Sequence, residues 1–117
     1  MVGLSTHVLD TSSGKPANNL KIILFSIQED KLLKIGDFIT NKDGRISSLL
    51  LSGDNFIKGK YELHFYVGDY FNNKDISMPD IKFLDIVKIN FGISNNKEHY
   101  HVPLLVSPYG YSTYRGS

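Results

Sequence analysis

The sequence predicts an all-β protein, a two-sheet sandwich of about eight strands that forms a single domain over residues 1–117. Three observations favour this class. Short runs rich in β-branched and aromatic residues recur along the 117-residue chain. Clusters of turn-forming residues separate these runs, and strong helix formers never gather at the 3.6-residue period of a helix. A chain of this length has room for one domain with one hydrophobic core.

Four strands are predicted in the first half of the chain, and turn signals separate them. The runs are residues 4–11, 20–28, 32–40 and 45–51. The cluster SSGKPANN follows the first run, and a turn near Glu29-Asp30-Lys31 follows the second. The third run ends at Asn41-Lys42-Asp43-Gly44, where the Asp-Gly pair supplies the positive φ that a tight turn needs.

Four more strands are predicted in the second half, at residues 61–71, 83–91, 98–107 and 109–117. In the first of these, Leu63, Phe65 and Val67 share one face, and Glu62, His64 and Tyr66 share the other. The segment NNKDISMPD, residues 72–80, is the one place predicted for a short helix or an irregular crossover.

Two irregularities are predicted near the C-terminus. Pro103 has no N–H to donate, so it indicates an edge strand, a bulge or the start of a strand. Tyr114 stands out of phase with Tyr109 and Tyr111, which indicates a bulge near Ser112-Thr113.

Composition and charge exclude several classes of function. Hydrophobic residues make up 41% and charged residues 21%, and the net charge of +1 gives no field to attract nucleic acid or an acidic membrane. The chain has no cysteine, which excludes disulfides, a thiol nucleophile and Cys-ligated zinc. The opening MVGLSTHVLD lacks the features of a secretory signal, and no apolar run reaches the length of a membrane span. We therefore expect a cytoplasmic protein with neither a nucleic-acid nor a membrane partner.

A few polar residues are candidates for hydrolytic chemistry, which needs a base for water and a donor for developing negative charge. His7 lies in an otherwise apolar first strand, and Arg45 follows the Asp-Gly turn. His99 and His101 flank Tyr100, so on a strand both histidines point to the same face.

Each candidate also has an ordinary structural interpretation. A lone strand histidine such as His7 or His64 is more often a surface or hydrogen-bonded residue than a catalyst. His99 and His101 resemble metal ligands, but no cysteine and no carboxylate at a motif spacing accompany them, so no metal site is predicted. Arg45 after a turn is usually solvated. Ser112 lacks the Gly-x-Ser-x-Gly surroundings of a nucleophile.

Taken together, four stretches resemble the 5-hydroxyisourate hydrolases, the purine-degrading members of the transthyretin-like family. They are LSTHVLDTSSGKPA, TNKDGR, YELHFYVGDYF and EHYHVPLLVSPYGYSTYRGS. The resemblance runs from about residue 4 to residue 117, in order and at the family's spacing. The ending Tyr114-Arg115-Gly116-Ser117 is the family's signature. Hormone-carrying transthyretins are similar in fold but lack that ending and the histidine–arginine set.

The resemblance implies a fold, an assembly and a reaction. The fold would be the transthyretin sandwich, two four-stranded sheets with a short helix after the fifth strand. The assembly would be a homotetramer built from two dimers, with the sites in the channel between the dimers. The reaction would open the six-membered ring of 5-hydroxyisourate with water, giving 2-oxo-4-hydroxy-4-carboxy-5-ureidoimidazoline on the route from urate to allantoin. No cofactor and no metal would be needed.

The resemblance also implies which residues act. The family's active-site residues fall on His7, Arg45 and His101, while Tyr114 would touch substrate and the Ser117 terminus would complete the pocket. We expect the two histidines to share water activation and the return of a proton to the leaving nitrogen, in either order. Arg45 would bind substrate and stabilise developing charge.

One segment departs from the family pattern, and two other functions stay open. Residues 72–82 look shorter and less aromatic than the family's usual helix, and only Pro79 and Ile81 match it. The first alternative function is a non-enzymatic carrier of small aromatic ligands in a transthyretin-like channel. The second is a structural or partner-binding tetramer without activity. The histidine–arginine set and the signature ending favour the hydrolase over both.

Overall fold

Two packed β-sheets make up most of the structure, a computed structural model that describes residues 2–74 and 76–117. Among these residues a short α-helix and one 3₁₀ turn, Gly53–Asn55, join the strands. The elements in chain order are β1 (Gly3–Asp10), β2 (Lys15–Pro16), β3 (Lys21–Gln28), β4 (Lys31–Ile39), β5 (Leu51–Ser52), β6 (Gly59–Phe65), α1 (Val67–Asn72), β7 (Val87–Ile93), β8 (Tyr100–Ser107) and β9 (Gly110–Thr113).

The strands form two separate sheets, and each sheet combines strands that are distant in sequence. The first sheet has the order β2-β1-β8-β9, and β5 pairs with the start of β1. The second sheet has the order β4-β3-β6-β7. Only β1 and β8 run parallel among the described strand pairs. The predicted all-β, two-sheet sandwich is confirmed.

Alternating apolar residues build the core between the sheets. On β1, Leu4 and Val8 are fully buried, and on β8, Leu104 and Val106 are fully buried. The second sheet contributes its own inward row, which includes Leu63 of β6. Burial of each such side chain is worth about 1.5–3 kcal/mol, so this period-2 pattern fixes which face of each strand looks outward.

The turn predicted after the second strand is confirmed. Glu29 and Asp30 both have positive φ, 52° and 62°, and they connect β3 to β4 directly. Two consecutive residues of positive φ form the turn whose twist suits a two-residue hairpin.

The strand predicted at residues 45–51 is wrong for most of its length. Only Leu51 and Ser52 form a strand, and Arg45 makes an isolated bridge to His7. The segment between them follows β1 through single contacts, such as the Leu50 N–H to Leu4 carbonyl bond of 2.8 Å. Its run of Ser and Leu residues lacks the alternation that a paired strand requires.

The helix lies earlier than predicted. It spans Val67–Asn72, inside the run predicted as a strand, and it buries Val67, Tyr70 and Phe71. These residues are spaced i, i+3 and i+4, so the apolar period changes from 2 to 3.6 just after β6 ends. The described residues between 72 and 80 are irregular beyond the helix end, and Asp75 lies outside the described residues. The next strand, β7, begins at Val87 rather than at residue 83.

Pro103 lies in the interior of a central strand, and neither predicted irregularity near the C-terminus occurs as stated. β8 lies between β1 and β9, so Pro103 marks neither an edge nor a strand start. The register joining Leu104 to Thr113 continues without a shift to the His101–Gly116 bridge, so there is no bulge near residue 112. That register sets Pro103 opposite Tyr114. The missing N–H of proline interrupts the ladder there, and Thr113 Oγ1 donates to the Pro103 carbonyl at 2.7 Å.

Within the described residues, no helix is long and apolar enough to cross a membrane.

Candidate active site

The candidate site lies on the outer face of the first sheet, which we call the site face. The site face consists of the odd-numbered residues Ser5, His7, Leu9, His101, Pro103 and Leu105 of the two central strands. The parallel register places Ser5 opposite His101 and His7 opposite Pro103. Register partners share a face, so the two histidines lie on neighbouring strands of one surface.

The turn at residues 41–44 brings Arg45 beside His7. Gly44 has a φ of 73°, and its carbonyl accepts the Val8 N–H at 2.8 Å, which fastens the turn to the edge of β1. An added Cβ at Gly44 would lie 2.4 Å from the Val8 carbonyl oxygen, so only glycine permits this approach. The antiparallel bridge from His7 to Arg45 follows directly from the docked turn.

The C-terminal tail reaches the site through Gly116. The Gly116 N–H donates to the His101 carbonyl at 2.8 Å. An added Cβ at Gly116 would lie 2.5 Å from Cδ2 of His101, so the tail passes directly against the imidazole ring. Ser117 follows at once and is exposed.

Arg115 anchors the tail on the other side of the strand. Its guanidinium lies 4.0 Å from the centroid of the Tyr100 ring. It also donates to the His99 carbonyl at 3.2 Å and to the Glu98 carboxylate at 3.2 Å. Each exposed contact is weak, but together they fix Gly116 against His101. Arg115 therefore holds the tail in place and does not reach into the site.

The structure brings together three of the five predicted site residues. His7 and Arg45 are bridge partners, and His101 lies one strand away on the site face. Tyr114 is 60% exposed and lines a separate cavity of about 170 Å³ beside β7, with no hydrogen bond to the histidines among the described contacts. Ser117 is next to the residue that touches His101. A larger cavity of about 510 Å³ is lined by Ser5 and Arg45, next to the histidines.

The site contains the charged Arg45, for which the described residues supply no ion-pair partner. Among the described residues, the ion pairs are Lys34–Asp37, Glu62–His64 and Glu98–Arg115, and none involves Arg45. Burial lowers the pKa of His101, and the positive charge of Arg45 lowers it further. Charge on the neighbouring histidines acts in the same direction, and a backbone group of Ser5 opposes it without reversing it. His101 is therefore a neutral imidazole near pH 7.

The hydrogen bond of His7 determines which of its nitrogens holds a proton. His7 Nε2 lies 2.9 Å from the Asp43 carbonyl oxygen. A carbonyl only accepts, so Nε2 carries the proton and donates it. In the neutral ring Nδ1 then has the free lone pair, which is the group that a general base needs.

His101 has a different partner, the hydroxyl of Ser5. Ser5 Oγ lies 2.7 Å from His101 Nδ1 and 2.8 Å from His99 Nε2. His99 and His101 therefore share a face as predicted, with the serine between them. In the part of the chain that the structure describes, no three His, Cys, Asp or Glu side chains are grouped to hold a metal ion.

The remaining histidine lies outside the site. His64 is buried on the outer face of the second sheet, 2.6 Å from the Glu62 carboxylate, and its ring lies 4.4 Å from that of Phe25. The structural interpretation of a lone strand histidine is correct for this residue.

Sequence reasoning missed three contributors to the site. They are the hydroxyl of Ser5, the ring of His99 as a partner of that hydroxyl, and the carbonyl of Asp43. The period-2 pattern signals Ser5, because it places Ser5 and His7 on the same face of β1. A contact with a backbone carbonyl leaves no such pattern.

The two-sheet β-sandwich, with histidines and an arginine on the outer face of one sheet, is that of a transthyretin-like protein. The model of the HIUase/Transthyretin family matches residues 4–116, so the chain belongs to that family. The resemblance read from the sequence is confirmed.

Two bacterial relatives are similar over almost the whole chain. "5-hydroxyisourate hydrolase 2" of Rhizobium meliloti is 52% identical, over 97% of this chain and 95% of that protein. "5-hydroxyisourate hydrolase" of Ralstonia nicotianae is 51% identical, over 97% of each chain.

Solved structures agree with the observed fold. A crystal structure of (S)-allantoin synthase has a TM-score of 0.92 at 44% identity and covers 98% of this chain, which spans 43% of that longer protein. The 5-hydroxyisourate hydrolase of Klebsiella pneumoniae has a TM-score of 0.79 at 34% identity, with both chains fully covered. Sea bream transthyretin in complex with thyroxine has a TM-score of 0.86 at 26% identity, covering 97% of this chain and 93% of that one.

Proposed function

We propose that this chain hydrolyses 5-hydroxyisourate and that His7, Arg45 and His101 perform the reaction. Relatives of this chain are hydrolases of that substrate. The observation that carries the proposal is the pair of histidines on the site face with Arg45 beside His7, an arginine that forms no ion pair with the residues that the structure describes. The bond that is hydrolysed joins a carbonyl carbon of the substrate's ring to a ring nitrogen. The reaction therefore needs a base for water, donors for the carbonyl oxygen and a proton for the leaving nitrogen.

His7 is the general base in this mechanism. Its Nε2–H is held by the Asp43 carbonyl, so Nδ1 accepts the proton as water attacks the carbonyl carbon. The imidazolium formed then gives this proton to the leaving nitrogen when the carbon–nitrogen bond breaks. One proton moves from water to nitrogen, and the oxygen of water stays in the new carboxyl group. A positioned base of this kind contributes about 10²–10⁴-fold to the rate.

His101 and Arg45 stabilise the oxyanion in this mechanism. The lowered pKa of His101 keeps the ring neutral, so it donates a hydrogen bond through Nε2–H and does not transfer the proton. Arg45 adds a permanent charge and a planar set of donors for the substrate's oxygens. Removal of one such donor lowers kcat by about 10²–10³-fold. We also propose that Ser117 contacts the substrate, because it follows Gly116 beside His101. Tyr114 lines a separate cavity in the single chain, so it takes part only through the proposed assembly.

Assembly is the second part of the proposal, and we infer a homotetramer built from two dimers. Leu9 and Leu105 point outward on the site face, and Tyr111 and Tyr114 of the C-terminal tail are 48% and 60% exposed. Apolar and aromatic residues at this density suit a surface that packs against further copies of the chain. Light scattering coupled to size exclusion tests this, and a monomer at micromolar concentration contradicts it. We place the protein in the cytoplasm, which fractionation of cells tests.

The decisive experiment follows the substrate directly. Urate oxidase generates 5-hydroxyisourate from urate in the cuvette, and ultraviolet absorbance records its decay with and without this protein. We expect the wild type to accelerate the decay, His7→Ala and His101→Ala to lose about 10²-fold or more, and His64→Gln on the other sheet to match the wild type. A folded wild-type protein without effect contradicts the hydrolase and favours the carrier, whose channel is then screened with small aromatic ligands.

A further inference from the structure

A chain of hydrogen bonds leads from the backbone of β1 to His101. The Gly3 N–H donates to Nδ1 of His99 at 3.2 Å. Nε2 of His99 lies 2.8 Å from Ser5 Oγ, and Ser5 Oγ lies 2.7 Å from Nδ1 of His101. The parallel pairing of β1 with β8 creates this arrangement, because it sets Ser5 directly opposite His101 and brings the preceding residues of both strands together.

The first donor decides the direction of every later bond. A backbone N–H only donates, so Nδ1 of His99 accepts, and the neutral ring carries its proton on Nε2. That proton goes to Ser5 Oγ. The hydroxyl has one proton of its own, and Nδ1 of His101 is the acceptor that remains for it among the described contacts. His101 then carries its proton on Nε2.

We propose that His99 and Ser5 are positioning residues that hold His101 in the tautomer with Nε2 protonated. The consequence for catalysis rests on the proposed function, in which the Nε2–H of His101 holds the oxyanion. The ring with the opposite tautomer presents a lone pair there, which repels the developing charge. The two hydrogen bonds of Ser5 Oγ are short, 2.8 Å to His99 and 2.7 Å to His101, so they also hold the His101 ring in position.

Several observations distinguish this relay of hydrogen bonds from the ordinary hydrogen bonds of a protein surface. All three contacts are at least partly buried, and each joins residues more than 90 positions apart in sequence. Burial strengthens such bonds and makes an unpaired member costly. His99 has no carboxylate contact among the described residues, so the Gly3 N–H sets its tautomer, and the contact with Ser5 Oγ helps to orient the ring. A carboxylate in that place would favour a charged ring instead.

The tautomer is measured directly by NMR of the imidazole nitrogens in the intact protein. The chain has only four histidines, and single-histidine variants assign their signals. Ring ¹⁵N shifts distinguish a protonated nitrogen from one with a free lone pair. We expect the wild type to show His101 protonated on Nε2 and unprotonated on Nδ1 at pH 7. Detection of the opposite tautomer overturns the proposal, and this readout needs no substrate.

Variants then test the relay. Ser5→Ala removes the hydroxyl, and His99→Ala removes its donor, so we expect both to give a mixture of His101 tautomers. His99→Gln keeps an N–H donor near the position of Nε2, so we expect the wild-type tautomer to be largely retained. A wild-type His101 signal in both alanine variants overturns the relay.

Kinetics connect the relay to the reaction. We expect Ser5→Ala and His99→Ala to lower kcat by about 10–100-fold, because ring displacement alone can cost about 10²-fold, with a smaller change in KM. His99→Gln should recover most of the loss, and Ser26→Ala on the second sheet is the matched serine control. Full kcat in Ser5→Ala with a changed His101 tautomer overturns the positioning role. An inactive wild type with the expected tautomer contradicts the proposed function and leaves the relay standing.

Discussion

Gly116→Ala tests whether contact between the tail and His101 is part of the site. An alanine Cβ at this position would lie 2.5 Å from Cδ2 of His101, and 3.3 Å and 3.4 Å from its Cγ and Cβ. Gly116 does not have a positive φ, so the substitution adds no backbone strain of that kind. The whole effect is therefore expected to arise from a clash with the His101 ring, which is proposed to be catalytic.

The size of the necessary movement follows from these distances. Ordinary contact begins at 3.4 Å, so ring and tail must separate by about 1 Å. If the ring moves, its 2.7 Å hydrogen bond to Ser5 lengthens beyond hydrogen-bond range. If the tail moves, Gly116 loses its 2.8 Å bond to the His101 carbonyl, and Ser117 is displaced with it. Because a misplacement of about 1 Å can cost about 10²-fold, we expect kcat/KM to fall by about 10–100-fold.

The assay measures initial decay of 5-hydroxyisourate above its spontaneous rate, with thermal unfolding measured alongside. Gly110→Ala is the matched control, because it lies in the same tail, also without a positive φ, and its new Cβ meets nothing nearer than Ser107 Oγ at 3.9 Å. We expect this control to stay within about twofold of the wild type. Equal activity of Gly116→Ala and wild type refutes the argument, and so does an equal loss in Gly110→Ala.

Three further predictions concern stability and the chain end. Gly44→Ala should lower the free energy of unfolding by at least about 2 kcal/mol and Gly14→Ala by about 1 kcal/mol, since both have a φ of 73° but only Gly44 has a backbone oxygen 2.4 Å from the added Cβ. Equal losses in urea unfolding would contradict this. Burial tends to raise the pKa of Asp10, yet hydrogen bonds including one from Tyr70 at 2.8 Å outweigh it and leave the pKa lowered. Ionised Asp10 therefore stabilises the fold above its unfolded pKa, and this stabilisation is lost as pH falls through the lower native value. Tyr70→Phe should cost about 1.5–3 kcal/mol at pH 7 and less near pH 2, whereas a loss that is constant with pH would argue against the reasoning. Residues added after Ser117 should lower kcat/KM about 10-fold while an N-terminal extension should not, and equal turnover of the two forms would count against a role of the tail in the site.

The fold was predictable wherever one physical pattern dominated. Residues 4–11 and 20–28 alternate or stay apolar, and they form β1 and β3 almost as predicted. Prediction of secondary structure failed where the spacing of apolar residues changed within one predicted strand. Residues 61–71 begin with a period of 2 and end with the helical spacing of Val67, Tyr70 and Phe71, and tertiary burial decides where one gives way to the other.

The sequence predicted which three residues lie together in the candidate site, but it did not predict which nitrogen of each histidine carries the proton. Resemblance to a family indicated His7, Arg45 and His101, and the structure brings these three together on one surface. Tyr114 was also indicated, yet in a single chain it lines a different cavity. The backbone hydrogen bonds between β8 and the tail are interrupted at Pro103, opposite Tyr114, and resume at Gly116. The position of the Tyr114 side chain therefore depends on contacts that no local sequence pattern encodes.

The opposite roles proposed for the two histidines start from backbone groups whose hydrogen-bond character is fixed. The Asp43 carbonyl accepts from Nε2 of His7, which leaves a basic lone pair on Nδ1. The Gly3 N–H, acting through two side chains, makes Nδ1 of His101 an acceptor and leaves an acidic N–H on Nε2. Because backbone groups cannot change their donor or acceptor character, we expect each neutral ring to favour one tautomer in the folded chain. All of these contacts join segments distant in sequence around β1. The proposed roles therefore depend on the packing of β8 and the docked turn against β1, and no motif in the sequence states which histidine would be the base.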